Sequence, residues 1–329
     1  MTHRPIVAVT MGDAGGIGPE VIVRALSHPE VAQSCRALVV GSAQVMRQAV
    51  ELVGSSLQIE AVGAPEEASF GSGCLTTLDL DNVDVDGIVF GRPTAMTGRA
   101  AYQCVAKAVE LALAGRVHAL ATAPLSKEGL HLAGYRYAGH TEILAELTHT
   151  HDYCMLLVSE KLRVAHVSTH VSLRRACDLV TRERVSRVID LTQDALLKLG
   201  VPQPRIAVAG LNPHASEGGL FGDEERREIA PAVEDALARG LQVRGPMPPD
   251  TVYFRAARGE FDAVVAMYHD QGHIPLKAMG FDQGVNVSLG LPILRTSVDH
   301  GTAYGKAGKG TANPQSMVEA ILLAVKLAG

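Results

Sequence analysis

The sequence predicts an α/β protein built on a largely parallel sheet and divided into two interleaved domains. Short apolar runs alternate with stretches of helical period along the whole chain, the pattern of strands joined by crossover helices. Several of those runs are continuously apolar, as strands covered on both faces are. At 329 residues the chain is too long for one simple core. No repeat or low-complexity linker separates two halves, so the domains are expected to interleave: residues 1–130 with 280–329 in the first, 131–279 in the second.

Residues 5–11 (PIVAVTM) read as a strand, and Gly12-Asp13-Ala14-Gly15-Gly16-Ile17-Gly18 as a tight loop before a helix at 19–26. Pro19 suits the first turn, where its missing N–H costs nothing. Strand, glycine loop and helix suggest an anion or nucleotide site. The spacing, however, matches neither G-x-G-x-x-G nor G-x-x-x-x-G-K-[ST]. A turn that lets helix and strand pack closely explains the glycines equally well. A strand at 37–40 and a helix at 43–53 follow, and 54–86 reads as loop.

Residues 98–115 have helical period, and a strand at 117–123 ends in Pro124-Leu125-Ser126-Lys127. A helix from Lys127 stops at Gly134, and another begins near His140, capped by Gly139 or Thr141. Runs at 154–158 and 162–167 are close enough to form a hairpin, and the loop Ser168-Thr169-His170 comes next. A helix at 182–199, a strand at 205–209 ending in Asn212-Pro213-His214, and a helix at 223–239 lead to Gly245-Pro246-Met247-Pro248-Pro249-Asp250. The apolar run 262–267 then breaks into a polar loop, Tyr268-His269-Asp270-Gln271-Gly272-His273, with Lys277 just beyond. Strands at 285–289 and 292–295, a glycine-rich stretch at 299–310 and a helix from about Pro314 close the chain.

Bulk composition excludes several classes. Net charge is −5, so no basic footprint favours nucleic acid. The chain has no Trp and only 4% aromatic residues, too few for stacking platforms. Five cysteines without a CxxC pair read as reduced thiols rather than a disulfide framework or a Cys-based zinc site. Met-Thr-His-Arg-Pro runs straight into the first strand without a secretory pattern, and no apolar stretch nears the ~20 residues that span a bilayer. A cytoplasmic location is expected, with neither membrane nor nucleic acid as partner.

Thirteen histidines are more informative, because His170, His214 and His269 each fall just after an apolar strand. In open α/β sheets ligands bind beyond the carboxyl ends of the strands. Imidazoles converging there would make a divalent-metal site with open positions, zinc first, with magnesium or cobalt as alternatives. Hydrogen-bonded loop histidines are the plainer reading. Lys127, Lys277 and Arg295 lie near strand ends, and His140, Thr141 and Asn286 add donors suited to a phosphate or carboxylate. Asp250 and Asp270 are carboxylates able to move protons or orient imidazoles, or simply turn and cap residues.

The phrases MGDAGGIGPE, AGHTE, STHVSL, GLNPHASEGG, PPDT, MYHDQG, GVNVSLGLPILRTSVDHGTA and AGKG resemble those of the 4-hydroxythreonine-4-phosphate dehydrogenase family, in order along nearly the whole chain. The resemblance implies an isocitrate/isopropylmalate-dehydrogenase-like fold, an active site in the interdomain cleft and a homodimer. It assigns metal ligation to His170, His214 and His269, the last reaching across to the neighbouring subunit. It assigns substrate binding to His140, Thr141, Lys277, Asn286 and Arg295. DHGTAYGKAGKGTANP is similar to the adenosine-binding loop of those dehydrogenases, which implies NAD bound by His300, Gly301, Thr302, Ala303, Ala307 and Gly308.

Two departures stand out: Ala14-Gly15 replaces the usual Pro-Ala, and Gly305-Lys306 replaces an acidic or apolar pair. HVSLRRACDLVT, QGHIPLK and FDQGVNVSLG are closer to a paralogous branch that oxidises 4-phospho-D-threonate or 4-phospho-D-erythronate. The expected reaction is NAD- and metal-dependent oxidation at C3 with decarboxylation, giving dihydroxyacetone phosphate and CO2. The vitamin B6 branch would give 3-amino-2-oxopropyl phosphate. A metal-dependent hydrolase uses similar residues but has no need of an adenosine loop; a non-catalytic binding protein would bind without turnover.

Overall fold

The computed structural model describes residues 4–279 and 284–329. Residues 1–3, and Phe281, Asp282 and Gln283 of the FDQGVNVSLG phrase, lie outside the described residues.

In chain order, β1 (Ile6–Thr10) leads to α1 (Gly18–Leu26), α2 (Pro29–Ser34), β2 (Arg36–Gly41), α3 (Ala43–Val53), β3 (Gln58–Val62) and β4 (Cys74–Asp79). Next come α4 (Ala95–Leu113), β5 (Ala119–Thr122), α5 (Lys127–Leu132), α6 (His140–Leu147), β6 (Cys154–Val158), β7 (Arg163–His166) and α7 (Leu173–Asp178). They are followed by α8 (Arg182–Lys198), β8 (Arg205–Ala209), α9 (Ala230–Ala238), β9 (Gln242–Met247), α10 (Pro249–Ala257), β10 (Ala263–Ala266) and α11 (His269–Met279). The chain ends with β11 (Val285–Leu289), β12 (Arg295–Val298) and α12 (Gln315–Ala328). Among the described residues, no helix is long and apolar enough to cross a membrane.

Two compact units emerge: one runs through Thr150 and resumes at Leu291, the other spans His151–Gly290. In the first unit the strands lie in the order β3-β4-β2-β1-β5-β12, all parallel. Both neighbours of β1 follow it in sequence, so β1 is the point from which the sheet is wound in two directions. The crevice beyond such a point receives the loops after β1 and β5. Val7, Val9, Leu38 and Leu120 are fully buried among Ile22, Met46 and Ile321 of the covering helices. Each such side chain contributes about 1.5–3 kcal/mol of burial. Gly98 of α4 lets that helix lie directly on α5: a Cβ there would stand 1.9 Å from the Gly129 carbonyl oxygen.

In the second unit the order is β11-β6-β7-β10-β8-β9. β11, β6 and β7 are antiparallel, and β7, β10, β8 and β9 are parallel. The hairpin expected at 154–167 is the β6–β7 pair. Val164, Ala207 and Val264 pack with Val252 and Leu276 in the core of this unit.

Several elements differ from the sequence reading. The region read as loop at 54–86 holds β3 and β4; β3 is an edge strand, whose Gln58 and Glu60 mask its apolar positions. The helix expected at 98 starts at Ala95, because Thr94 and Thr97 form a reciprocal capping box. The helix expected at 223–239 is continuous but opens in a π-turn, Glu225–Ile229, before α9. The proline-rich stretch around 245–250 contains the end of β9 and the start of α10, where Pro249 sits harmlessly in the first turn. The last strand is Arg295–Val298 rather than 292–295. The polar loop read after residue 267 is the helix α11, which begins at His269 and carries Pro275 inside it.

Candidate active site

The second unit gathers the histidines. β7, β10 and β8 are neighbouring parallel strands, and His170, His269 and His214 follow their carboxyl ends in that order. His170 and His269 have ring centroids 5.8 Å apart. They line a cavity of about 430 Å³ together with Thr169, Ser172, Tyr268 and Asp270. Within this one chain the expected trio does not close on a point: among the described residues, no group of three or more His, Cys, Asp or Glu is placed to hold an ion.

The ring tautomers of two of them are fixed by carboxylates. His269 Nδ1–H donates to Asp270 Oδ1 at 2.7 Å, and His214 Nδ1–H donates to Glu217 Oε2 at 2.8 Å. Each pair leaves the Nε2 lone pair available, the carboxylate–histidine arrangement that raises ligand basicity at metal sites. On this donor chemistry the residues fit a divalent cation. Asp270 was expected as a proton carrier or an orienter of imidazoles, and its contact is with the His269 ring. Asp250 lies exposed in the first turn of α10.

Backbone conformation sets His214 apart. His214, Ala215, Ser216, Glu217 and Gly218 all have positive φ, between 48° and 71°. Four successive L-residues in the left-handed region cost roughly 1–2 kcal/mol each, and something must hold them. Glu225, 2% exposed, accepts from the Asn212 N–H at 2.7 Å and from its side-chain amide at 2.9 Å. Gln271 clamps the neighbouring strand ends: its amide donates to the Gly210 carbonyl, and its oxygen accepts from the Met267 N–H, both at 2.7 Å. Sequence reasoning missed Glu217, Glu225 and Gln271, since nothing in their spacing reports what they touch.

It also missed His166, which is fully buried at the end of β7. Burial, with the His273 imidazole adding to it, pushes its pKa down to about 3. Unfolded, the ring titrates near 6.5, so below that pH the unfolded chain binds a proton that the folded one refuses. Stability is therefore expected to fall as pH drops from 6.5 toward 3, this residue alone accounting for about 2 kcal/mol at pH 5. Urea titrations of metal-stripped parent and His166→Leu at pH 7.5 and pH 5 check the sign. The variant should lose less on acidification; equal losses would remove His166 as the cause.

The first unit holds Arg295 and His140. Arg295 opens β12 at 2% exposure. Its Nε and Nη2 donate to Thr122 Oγ1 at 3.1 and 2.7 Å. Burial lowers its pKa to about 9, against the favourable charge of Glu142, so it remains a cation at neutral pH. His140 is the first residue of α6, with Gly139 as the N-cap and Thr141 next in the helix. Burial first, and the Arg295 charge second, hold His140 well below the usual imidazole range. Its buried Nε2 has no hydrogen-bond partner among the described residues, and neither does Asn286 Oδ1 on β11 of the second unit. Orphaned buried polar atoms at positions expected to bind substrate are sites that a ligand would satisfy. Lys277 lies near the end of α11, half-buried. Lys127 opens α5 on a Ser126 cap.

The loop after β12 docks on the loop after β1, within the first unit. The Ile17 N–H donates to Thr302 O at 3.1 Å, Tyr304 Oη–H to Asp13 Oδ2 at 2.8 Å, and the Gly308 N–H to Glu20 Oε1 at 2.6 Å. Gly15 and Gly16 spend their N–H groups on Asp13. Of the two readings of the glycine loop, close packing therefore accounts for the N–H groups of Gly15, Gly16 and Ile17. Asp13 is fully buried, and burial outweighs its hydrogen bonds to Tyr304 and Gly15 in raising its pKa. The docked loop presents Gly301 and Ala303 to solvent, with Ala303 left-handed at φ 43°. The buried His300 Nε2 lacks a partner among the described residues, and Ala307 is buried beneath. All five cysteines are free thiols, Cys35, Cys104 and Cys154 buried, Cys74 and Cys177 exposed.

Comparison with known proteins shows the family. The family model described as pyridoxal phosphate biosynthetic protein PdxA matches residues 33–324. A D-threonate 4-phosphate dehydrogenase of Pectobacterium atrosepticum is 51% identical over 98% of this chain and 99% of its own length. The crystal structure of a 4-hydroxythreonine-4-phosphate dehydrogenase from Klebsiella pneumoniae superposes with a TM-score of 0.90 at 48% identity, covering 99% of this chain and 98% of that one. A beta-decarboxylating dehydrogenase from Thermococcus kodakarensis, 17% identical with a TM-score of 0.50 over 97% of this chain and 81% of its own, shares the fold. A dehydrogenase of this kind implies a nicotinamide cofactor and a divalent metal. The chain belongs to the PdxA family of dehydrogenases, with the α/β fold of decarboxylating dehydrogenases.

Proposed function

We propose that this protein catalyses the NAD-dependent, divalent-metal-dependent oxidation of 4-phospho-D-threonate or 4-phospho-D-erythronate at C3. Decarboxylation of the resulting 3-keto acid gives dihydroxyacetone phosphate and CO2. The observation that carries this reading is the 51% identity, over 98% of the chain, to a relative named D-threonate 4-phosphate dehydrogenase.

His170, His214 and His269 would hold the cation, zinc first by donor type. The protein would act as a cytoplasmic homodimer, with His269 completing the set from the neighbouring subunit. His300, Gly301, Thr302, Ala303, Ala307 and Gly308 would hold the adenosine part of NAD. When bound, the metal supplies Lewis-acid polarisation of the substrate oxygen and the nicotinamide supplies the hydride acceptor. Arg295 and Lys277 offer charge to the phosphate, and His140, Thr141 and Asn286 offer polar groups that fix its orientation. His140, held neutral, can donate through one nitrogen and accept through the other. Asp270 keeps the His269 ring in one tautomer, and Asp250 or Asp270 is the carboxylate available to move the hydroxyl proton.

NADH absorbance tests this directly with 4-phospho-D-threonate, 4-phospho-D-erythronate and 4-hydroxythreonine 4-phosphate, each with and without a chelator. The two phospho-sugar acids should be turned over and the amino substrate disfavoured, with chelator abolishing all turnover. Preference for the amino substrate would move the enzyme to the vitamin B6 reaction. Phosphate release without NADH would make it a hydrolase.

A further inference from the structure

Against the candidate ligand His269 lie two more imidazoles, one of them stacked on it. His273, one turn on in α11, lies 3.6 Å from His269 between ring centroids and tilted by only 12°. Its Nδ1–H donates to the His269 carbonyl at 3.0 Å, which fixes its ring against the helix. His166 packs beside His273, with centroids 4.8 Å apart at 48°, and its ring is 6.4 Å from that of His269. His166 is itself fixed by an Nδ1–H bond to the Met155 carbonyl at 3.2 Å. The contact is tight: a Cβ on Gly272 would come within 2.4 Å of His166 Nε2, so glycine is the residue that admits the ring. His166 is fully buried and His273 is 6% exposed. Burying two polar rings where aliphatic side chains would pack more cheaply costs free energy, and their flat faces are what an aliphatic core would lack.

We infer that His273, flanked by His166, is a positioning residue: its face fixes the ring plane of His269, while Asp270 fixes the tautomer. The imidazole of a surface-facing histidine otherwise turns broadly about χ2. Holding one orientation raises metal affinity by removing that freedom before binding. This inference rests on the proposed role of His269 as a ligand.

The test is Co2+ titration of metal-stripped protein, read by visible absorption and calorimetry, with far-UV circular dichroism as the control for folding. His273→Leu is expected to weaken Co2+ affinity about 10–100-fold, the range for residues that orient ligands, and to shift the absorption bands. His273→Phe restores a flat face without polar atoms and should keep affinity within about threefold of the parent, on the same scale. Unchanged affinity and spectrum in His273→Leu would overturn the inference, as would equal losses in the Leu and Phe variants. His269→Ala separates the underlying reading: it should abolish the spectrum, and undiminished Co2+ binding there would remove His269 as a ligand altogether.

Discussion

Replacing His214 by alanine is expected to abolish metal retention and to lower kcat/KM by about 10³-fold or more. Polarisation of the substrate oxygen by a cation stabilises the transition state by several kcal/mol, and each 1.36 kcal/mol is a factor of about ten in rate. The fold should survive, because the His214 side chain is 62% exposed and its contacts are a hydrogen bond to the exposed Glu217 and an edge contact with the exposed Phe221. Alanine also tolerates the site as well as histidine does, since Ala215 already adopts the same left-handed conformation. Metal content after dialysis and kcat/KM by NADH formation are the measurements. A fully active His214→Ala that retains its metal would sink the three-histidine site.

Arg295→Ala should act mainly on KM, raising it roughly 10²–10³-fold for phosphorylated substrate, in line with the 2–5 kcal/mol cost of truncating one partner of a buried charged contact. A group that grips a spectator phosphate binds ground state and transition state alike, so kcat should stay near the parent value. Lysine should rescue poorly. The two donors on Thr122 use the guanidinium fork, which a point-charge ammonium does not reproduce. Initial rates over a wide substrate range decide this, with thermal unfolding as control because the variant also strands the Glu142 charge. An unchanged KM would take Arg295 out of the substrate site.

Much of the sheet is legible in the sequence because its inner strands are buried on both faces and hence continuously apolar. Val7 to Val9, Leu38 to Val40, Ile206 to Ala209 and Ala263 to Met267 are all fully buried. Edge strands lack that signature: Gln58 and Glu60 in β3, or Gly245 and Pro246 in β9, obscure strands whose pairing is set by their neighbours. Helix α11 is hidden for a related reason. Gly272 and Pro275 argue locally against a helix, yet Gly272 is there because His166 presses against it, a contact made across a long gap in sequence. The site follows the same division. Strand-end placement singles out His170, His214 and His269, whereas Glu217, Glu225, Gln271 and His166 acquire roles only from what folding brings beside them.

The docking of the loop after β12 on the loop after β1 has a consequence for synthesis. Tyr304 and Asp13, joined by a hydrogen bond, are 291 residues apart in sequence, and β12 completes a sheet whose other strands were made first. While the chain is still emerging from the ribosome, the first unit has its β1–β5 core but neither its last strand nor the loop that covers Asp13. The second unit, continuous from His151 to Gly290, has all its strands before that loop exists. Domains fold as units during translation, as their segments become available. The expected cofactor loop is therefore the last of these parts to be assembled, and a chain truncated before β12 would carry His170, His214 and His269 without it.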